Sequence, residues 1–405
     1  MKILFINSLY SPHIGGGAEI TLQSLVEGLK FRGHQVSVLS TGPNRGLIKD
    51  VVNGVSVYRA EVKNFYWNNT RESRSRWIRM GWHWRDRYNG QMRKYVKDVI
   101  ERERPDLVCT HNLTNWSISV WDEITAAEIP IVQVLHDFYL KCVRSNQFAR
   151  GQSCDGHCSE CGCMRRRHAA ATNAVRAVVG VSDFVLREFK KDGFFEEVPK
   201  YVIHNARRIA NSRAERPLKE GGPVRFGYIG TLARQKGVEW LLEQFSILNG
   251  NASLTIAGSG KGDYADKLKN KVSDPRVRFV GYMDSATFFS EIDVCIVPSI
   301  WSEPLGMVAI EACAHGIPVI AASSGGLPEI IRDGENGLLC TSAIPDSLSM
   351  SMKTLCDDHA LRVHLAKNAR DSVSSMIDID RMLDCYENLF QLDILKNSEL
   401  GTISS

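Results

Sequence analysis

The chain has 405 residues, more than one domain usually holds, so its length predicts two compact domains. Hydrophobic residues make up 43% of the chain and charged residues 24%, a balance that excludes a disordered protein. No apolar run approaches the ~18 residues that a membrane-spanning helix needs, and residues 3–6 are too short for a signal peptide, so we expect a cytoplasmic protein. The net charge of only +4 falls short of the strongly basic composition of a dedicated nucleic-acid-binding protein.

The first half alternates strand-like and helical segments. Residues 2–8 predict a strand, followed by the glycine loop at 15–17 and an amphipathic helix at 18–31. Further strands are predicted at 36–39, 106–110, 130–135 and 177–181. Strands that alternate with helices indicate a parallel sheet with helices on both faces.

The second half repeats this pattern after a polar segment. Residues 206–223 are rich in Arg and end in Gly221, Gly222 and Pro223, which predicts an interdomain linker. Strands are then predicted at 224–229, 253–257, 277–280, 294–298 and 318–321, with helices at 238–248 and 305–314. We therefore predict an α/β fold of two Rossmann-like domains, 1–205 and 224–379, before a C-terminal helix and tail at 380–405. Domains of this kind that face each other bind ligands in a cleft at the carboxyl ends of their sheets.

The segment after the predicted strand 294–298 carries the most chemistry. Pro304 is expected at the first position of a helix, because its missing N–H costs nothing there. The amides of Leu305, Gly306 and Met307 then belong to the unpaired first turn, where they can hold a diphosphate.

Two carboxylates mark the same predicted helix. Glu303 lies at its entrance and Glu311 eight residues later, about 12 Å along the axis at ~1.5 Å per residue. Carboxylates so far apart cannot flank one bond. They can bind hydroxyl groups at the two ends of an elongated ligand made of a sugar, a diphosphate and a ribose.

The residues from Ser302 to Gly337 form a series of motifs. The series comprises Ser302-Glu303-Pro304, Gly306, Glu311-Ala312, Gly316-Ile317-Pro318, Gly325-Gly326, Pro328-Glu329 and Asp333-Gly334-Glu335-Asn336-Gly337. It resembles the signature of glycosyltransferase family 4. The resemblance implies a GT-B fold and metal-independent, retaining transfer of a hexose-type sugar from a UDP- or GDP-sugar to a glycan or lipid-linked acceptor in polysaccharide biosynthesis. It also implies that Glu303 binds hydroxyls of the donor sugar and Glu311 those of the ribose.

Residues 226–237 resemble the family's first strand and phosphate loop after the linker. Gly230 follows that strand, and Lys236 matches the family's lysine. A cation is needed there because the departing nucleoside diphosphate gains negative charge. The family's usual arginine is Thr231 here, so Arg234 in the same loop is the candidate for the second charge. Backbone near Gly258 is expected to contact the base.

Candidates in the first half are a loop and two strand ends. Gly15 and Gly16 resemble the family's glycine loop, whose backbone faces the diphosphate and the acceptor. His111 follows the strand 106–110, as the family's cleft histidine does, and His136 follows the next strand. Both histidines are candidate acceptor-side groups, with His111 preferred as catalytic and a purely structural role open for each.

Five of the 11 cysteines lie close together in an insertion at 142–163. Cys158 and Cys161 have the Cys-x-x-Cys spacing, and with Cys154 and Cys142 they predict a structural zinc site of four thiolates. Redox or disulfide use, and plain reduced thiols, stay open as alternatives.

Residues 63–97 combine aromatic and basic side chains. They contain four of the eight Trp and seven Arg. Such a segment suits a membrane–water interface, so we expect peripheral contact with the inner face of a membrane, as a lipid-linked acceptor requires. The alternative is a lid whose Trp side chains pack in its own core.

Two other functions agree with the sequence. A nucleotide-sugar epimerase on the same fold would turn over the donor without an acceptor. A noncatalytic zinc-bearing adaptor would keep the nucleotide-binding domain for structure alone. In a glycosyltransferase, Glu303→Ala and Lys236→Ala should abolish sugar transfer and leave folding intact, and unchanged activity in both variants would contradict the proposed site.

Overall fold

A computed structural model describes residues 1–70, 74–154, 156, 158–209, 221–260 and 263–391. The chain forms two compact units. Unit 1 comprises Met1–Asn146, Cys154–Arg207 and the described residues from Ile379 onward, and unit 2 comprises Gln147–Ser153 and Arg208–Asp378. Most of the predicted linker, residues 210–220, lies outside the described residues, as does His157 of the cysteine-rich insertion.

Ten strands occur among the described residues before residue 203. They are β1 Lys2–Ile6, β2 Gln35–Gly42, β3 Leu47–Val52, β4 Val55–Glu61, β5 Leu107–Thr110, β6 Ile131–Leu135, β7 Phe148–Ala149, β8 Gln152–Ser153, β9 Ala177–Gly180 and β10 Lys200–Val202. Eight of them form the sheet of unit 1 in the order β10-β9-β6-β5-β1-β2-β4-β3, and β7 and β8 pair separately. Every pair in the large sheet is parallel except β3 with β4.

Helices cover this sheet. They are α1 Gly17–Phe31, α2 Arg76–Asp86, α3 Arg93–Glu103, α4 Ser119–Ala126, α5 Ser159–Arg165, α6 His168–Ala171 and α7 Asp183–Lys191. The central strands β1, β5 and β6 are almost wholly buried apolar runs, as expected for strands covered on both faces.

Unit 2, like unit 1, contains a sheet of mainly parallel strands connected by helices. Its strands are β11 Val224–Ile229, β12 Ala252–Ala257, β13 Val277–Gly281, β14 Val294–Val297, β15 Val319–Ala322 and β16 Gly337–Cys340. They form an all-parallel sheet in the order β13-β12-β11-β14-β15-β16. Its helices are α8 Val238–Ser246, α9 Tyr264–Lys271, α10 Ser285–Glu291, α11 Met307–Ala314, α12 Leu327–Ile330, α13 Ser347–Asp357, α14 His359–Ser372 and α15 Ser374–Ile377. The prediction of two Rossmann-like sheets is confirmed.

The C-terminal helix α16, Ile379–Asn388, belongs to unit 1. Arg32, which follows α1, contacts Asp380, Asp384 and Glu387 of α16 at 3.1, 2.6 and 2.6 Å. Gly28 of α1 lets α16 approach, because a Cβ there would lie 2.6 Å from the Leu383 side chain. Among the described residues, no helix has both the length and the hydrophobicity of a membrane span.

Candidate functional site

Lys236 and Glu303 form an ion pair in unit 2. Lys236 ends a 3-10 turn after β11, and Glu303 lies in the loop after β14. These neighbouring strands are parallel, so both loops leave the same edge of the sheet. Lys236 Nζ donates to both carboxylate oxygens of Glu303 at 2.9 Å. The side chains keep 27% and 13% exposure, so the pair is sheltered but open to a ligand.

Two further side chains orient the Glu303 carboxylate. Ser299 Oγ and Trp301 Nε1 donate to Oε2 at 3.0 and 2.8 Å. Lys236 Nζ lies 5.1 Å from the centroid of the Trp301 ring, within cation–π range. Sequence reasoning missed both residues, although their position in the loop at the end of a buried strand was a signal for them.

The loop after β15 fixes the backbone of the same segment. Gly326 N donates to Glu303 O at 2.7 Å, and Ser324 Oγ donates to Trp301 O at 2.6 Å. Gly325 has φ +65°, and a Cβ there would lie 2.2 Å from Glu303 O. Glycine is therefore required at residue 325 for Glu303 to hold its place.

The predicted start of α11 is wrong. The helix begins at Met307, and its N-cap is Gly306 with φ +104°, so Pro304 and the buried Leu305 precede the helix. The left-handed backbone of Gly306 delays the first turn, whose free amides are those of Met307 and Val308. Because Glu303 is not in α11, the estimate of 12 Å along one helix from Glu303 to Glu311 does not apply. Glu311 lies within the helix and is 8% exposed.

The other predicted donor-side residues lie in loops at the same edge of the sheet. Gly230 N donates to Ala257 O at 3.1 Å, and Gly258 N donates to Gly281 O at 2.6 Å, which join the loops after β11, β12 and β13. Thr231 and Arg234 are exposed in the first of these loops. The structure thus brings the candidate phosphate-binding residues to the edge that carries Lys236.

In unit 1, the glycine loop already has an acceptor for its amides. Gly16 N donates to Glu19 Oε2 at 2.8 Å, and the Gly15 amide also interacts with this carboxylate. Glu19 is 8% exposed, and burial raises its pKa. A diphosphate that binds these amides would have to displace the Glu19 carboxylate, so the predicted role of Gly15 and Gly16 stays a prediction.

His111 and His136 meet where β5 and β6 end. His111 Nδ1 lies 2.8 Å from His136 Nε2, and His111 Nε2 lies 3.4 Å from Cys109 Sγ. His111 is 3% exposed and has both ring nitrogens engaged, whereas His136 is partly exposed. Burial lowers the pKa of His111 and brings that of His136 to about 4, so both rings are neutral at pH 7. His136 is therefore the more accessible of the two rings, and the catalytic role of His111 stays a prediction.

Asp137 is a functional candidate to which the sequence assigned no role. Asn112 Nδ2 donates to its Oδ2 at 2.6 Å and Tyr139 N to its Oδ1 at 2.8 Å. Burial raises the pKa of Asp137 to about 7. The carboxyl group can thus change its protonation state near neutral pH.

The raised pKa of Asp137 predicts a pH-dependent stability. Between pH 4 and 7 this carboxyl group keeps a proton in the folded protein that it releases in the unfolded chain, so its contribution to the free energy of unfolding falls as pH rises, by up to about 1.4 kcal/mol per pH unit. We expect Asp137→Asn to remove this fall. Tryptophan fluorescence melting at pH 5 and pH 6.5 measures it, because six of the eight Trp lie in unit 1. An equal change in melting temperature for both proteins would contradict the prediction.

The cysteine cluster brings several thiols together. The Cys161 thiol interacts with those of Cys142 and Cys158, and Cys154 lies within electrostatic range of the same two. All four are free cysteines, with Cys142 and Cys161 buried. No group of three potential ligands within the described part of the chain is arranged to hold a metal ion. The zinc site stays a prediction.

The four Trp of residues 63–97 divide into two classes. Trp82 is buried and donates to Tyr66 O at 2.9 Å, and Trp67 donates to Thr41 Oγ1 at 3.0 Å. Trp77 and Trp84 are 74% and 53% exposed. The buried Trp82 agrees with the interpretation as a packed lid, and membrane contact stays a prediction.

Comparison with known proteins decides the family. The family model for Glycosyltransferase Family 4 matches residues 15–209, and that for Glycosyl transferases group 1 matches residues 223–358. The chain belongs to this glycosyltransferase family. The transferase has the GT-B fold, as the sequence resemblance implied.

Three similar proteins illustrate the relationship. An uncharacterized 42.6 kDa protein in the cps region of Klebsiella pneumoniae is 28% identical, over 82% of this chain and 88% of its own. Glycogen synthase of Mycobacterium tuberculosis is 28% identical, over 93% and 91%. The structure of Anabaena HepE in complex with UDP and glucose has a TM-score of 0.71 at 20% identity, covering 97% of this chain and all of that one.

Proposed function

We propose that this glycosyltransferase is a retaining, metal-independent enzyme that transfers a hexose-type sugar from UDP to a glycan or lipid-linked acceptor in polysaccharide biosynthesis. The observation that carries the proposal is the Lys236–Glu303 pair at the carboxyl edge of the unit 2 sheet. It sets a cation for a departing diphosphate beside a carboxylate for sugar hydroxyls. The UDP found with HepE and the polysaccharide made by a glycogen synthase support the choice of donor and acceptor.

The way in which Glu303 is held supports a retaining step without a covalent intermediate. Its carboxylate already accepts hydrogen bonds from Lys236, Ser299 and Trp301, an arrangement that suits hydroxyl binding better than nucleophilic attack. The acceptor hydroxyl then attacks the anomeric carbon from the side on which the diphosphate leaves. The bond from this carbon to the diphosphate breaks, the bond to the acceptor oxygen forms on the same face, and the acceptor proton passes to a departing phosphate oxygen.

The remaining donor-side residues complete the site. Arg234 in the exposed loop supplies the second positive charge in place of the arginine that Thr231 replaces. Charge on the phosphates is balanced by these side chains and by the first-turn amides of α11, which supports metal independence. Glu311 binds the ribose.

Donor binding tests the choice of nucleotide. At 100 times its dissociation constant, UDP should stabilise the protein by about 2.7 kcal/mol, visible as a raised melting temperature. We expect UDP to raise the melting temperature and GDP and ADP to leave it unchanged. The Glu311→Ala variant should not show the rise with UDP. A shift by GDP alone would make the enzyme GDP-dependent, and consumption of UDP-sugar without any acceptor would favour the epimerase.

Residues 63–97 are proposed to contact an anionic membrane surface, where the lipid-linked acceptor resides. The exposed indoles of Trp77 and Trp84 and the neighbouring arginines support this. Arg87, for example, stacks its guanidinium 4.4 Å from the centroid of the Trp84 ring.

A structural zinc in the cysteine insertion is proposed separately from catalysis. The ion would be held by the thiolates of Cys142, Cys154, Cys158 and Cys161, and it would stabilise the insertion by cross-linking it. We expect about one zinc per chain in elemental analysis of the purified protein, and its loss in Cys158→Ser. A metal-free, fully folded protein would contradict this.

A further inference from the structure

A cavity of about 700 Å³ lies in unit 1, and none of its lining residues is proposed for catalysis. Its walls come from α2 with the turn that follows it, from the segment before α4, and from α5 and α6. The volume falls within the range of small-molecule sites, roughly 300–1,000 Å³.

The cavity is apolar inside and at its rim. Ile118 and Met164 line its buried part, and Met80, Trp84 and Phe65 line its exposed part. Six of the 16 large exposed hydrophobic side chains among the described residues fall between Phe65 and Tyr88, and four of these six line the cavity. Such a concentration marks a binding surface rather than ordinary scatter.

The charged side chains that line the cavity are all cationic. They are Arg85, Arg87 and Arg167, and no lining residue is acidic. Arg85 donates to neutral acceptors, the backbone oxygen of Lys63 at 2.8 Å and Gln91 Oε1 at 2.7 Å. Within the described part of the chain, no carboxylate pairs with any of the three arginines. Their positive charge is therefore available to an anionic group.

We propose that this cavity binds the lipid end of the acceptor, with a hydrocarbon chain in the apolar interior and a phosphate on the three arginines. Guanidinium groups match phosphate oxygens in geometry as well as in charge. The inference rests on the proposed function, because a lipid-linked acceptor brings a chain and a phosphate together in one molecule.

Calorimetry with a short, water-soluble lipid phosphate tests the proposal, in protein saturated with UDP so that the proposed diphosphate site of unit 2 is occupied. Farnesyl diphosphate should then bind, whereas farnesol and inorganic diphosphate at the same concentration should not, and inorganic diphosphate should not displace it. Met80→Glu places a carboxylate in the cavity and should abolish binding. Met350→Glu, the matched change at an exposed methionine of unit 2, should leave binding intact. The double variant Arg87→Gln, Arg167→Gln should bind about tenfold more weakly or worse.

The outcomes separate this site from its alternatives. Equal binding by farnesyl diphosphate and inorganic diphosphate, or unchanged binding by the cavity variants, would overturn the proposal. Variants that lose binding to anionic phospholipid vesicles but keep farnesyl diphosphate would show surface adsorption instead. Binding that depends on Met80 and the arginines, in a protein that transfers no sugar from UDP, would refute the proposed function and leave the cavity site standing.

Discussion

Replacement of Lys236 by Ala should lower kcat about 100- to 1,000-fold, the loss seen when one preorganised group that stabilises developing charge is removed. The diphosphate carries more negative charge in the transition state than in the bound donor, so the cation stabilises the transition state more than the ground state. We therefore expect kcat and kcat/KM to fall together, with a small change in KM. Steady-state kinetics with UDP-sugar and a saturating acceptor measure both constants.

Two controls separate charge from structure in this experiment. Lys236→Arg keeps the charge and should restore only part of kcat, because the larger planar guanidinium can bind both oxygens of Glu303 but does not place its charge where the single ammonium nitrogen lies. Lys267→Ala removes a cation of unit 2 that is exposed and pairs with Asp263 on the surface, and it should change nothing. A Lys236→Ala enzyme with kcat within twofold of the parent would exclude the leaving-group role.

The motifs from Ser302 to Gly337 predicted the family because their chemistry is local. Glu303, the prolines and the glycine pairs follow each other in one continuous stretch, from the loop after β14 to the start of β16, so their spacing alone carries the information. Gly325 shows why: its left-handed backbone touches Glu303, and no other residue type fits there.

Relations between distant segments could not be predicted in the same way. The sequence assigned the diphosphate to Lys236 and the sugar hydroxyls to Glu303. In the structure these two residues, 67 positions apart, also bind each other, because β11 and β14 are neighbours in the sheet. The sequence does not display that adjacency. For the same reason, the sequence showed no packing partner for α16. The structure shows that α16 packs against α1, through the Arg32 ion pairs and the close approach at Gly28.

Other errors had a local cause. The start of α11 depends on the backbone angle of Gly306, which residue type permits but does not dictate. The hairpin of β3 and β4 was missed, although Asn53-Gly54 between two strands is a strong turn signal and both residues have positive φ. The sequence did not predict that His111 is buried, because its contacts with Cys109 and His136 form only when β5 and β6 pair in the sheet.

Glu303→Gln should lower kcat/KM about 100-fold although it preserves the shape of the side chain. The carboxylate accepts from Lys236, Ser299 and Trp301, and an amide offers one oxygen together with an NH2 group that cannot accept. At least one partly buried donor then loses its acceptor, at a cost of about 1–3 kcal/mol, and the sugar hydroxyls lose a charged partner. Initial rates at low donor concentration measure this ratio directly.

Two matched variants define what Glu303 does. Glu335→Gln makes the same change at an exposed glutamate whose partner is the surface residue Arg332, and its kcat/KM should stay within about twofold of the parent. Glu311→Gln should raise the KM for the donor about tenfold with little change in kcat, because a ribose contact is the same in the ground state and the transition state. If Glu303→Gln instead raised only KM, Glu303 would bind the donor equally well in the ground state and the transition state. The charge that develops during transfer would then be stabilised by Lys236 and the first-turn amides of α11 alone.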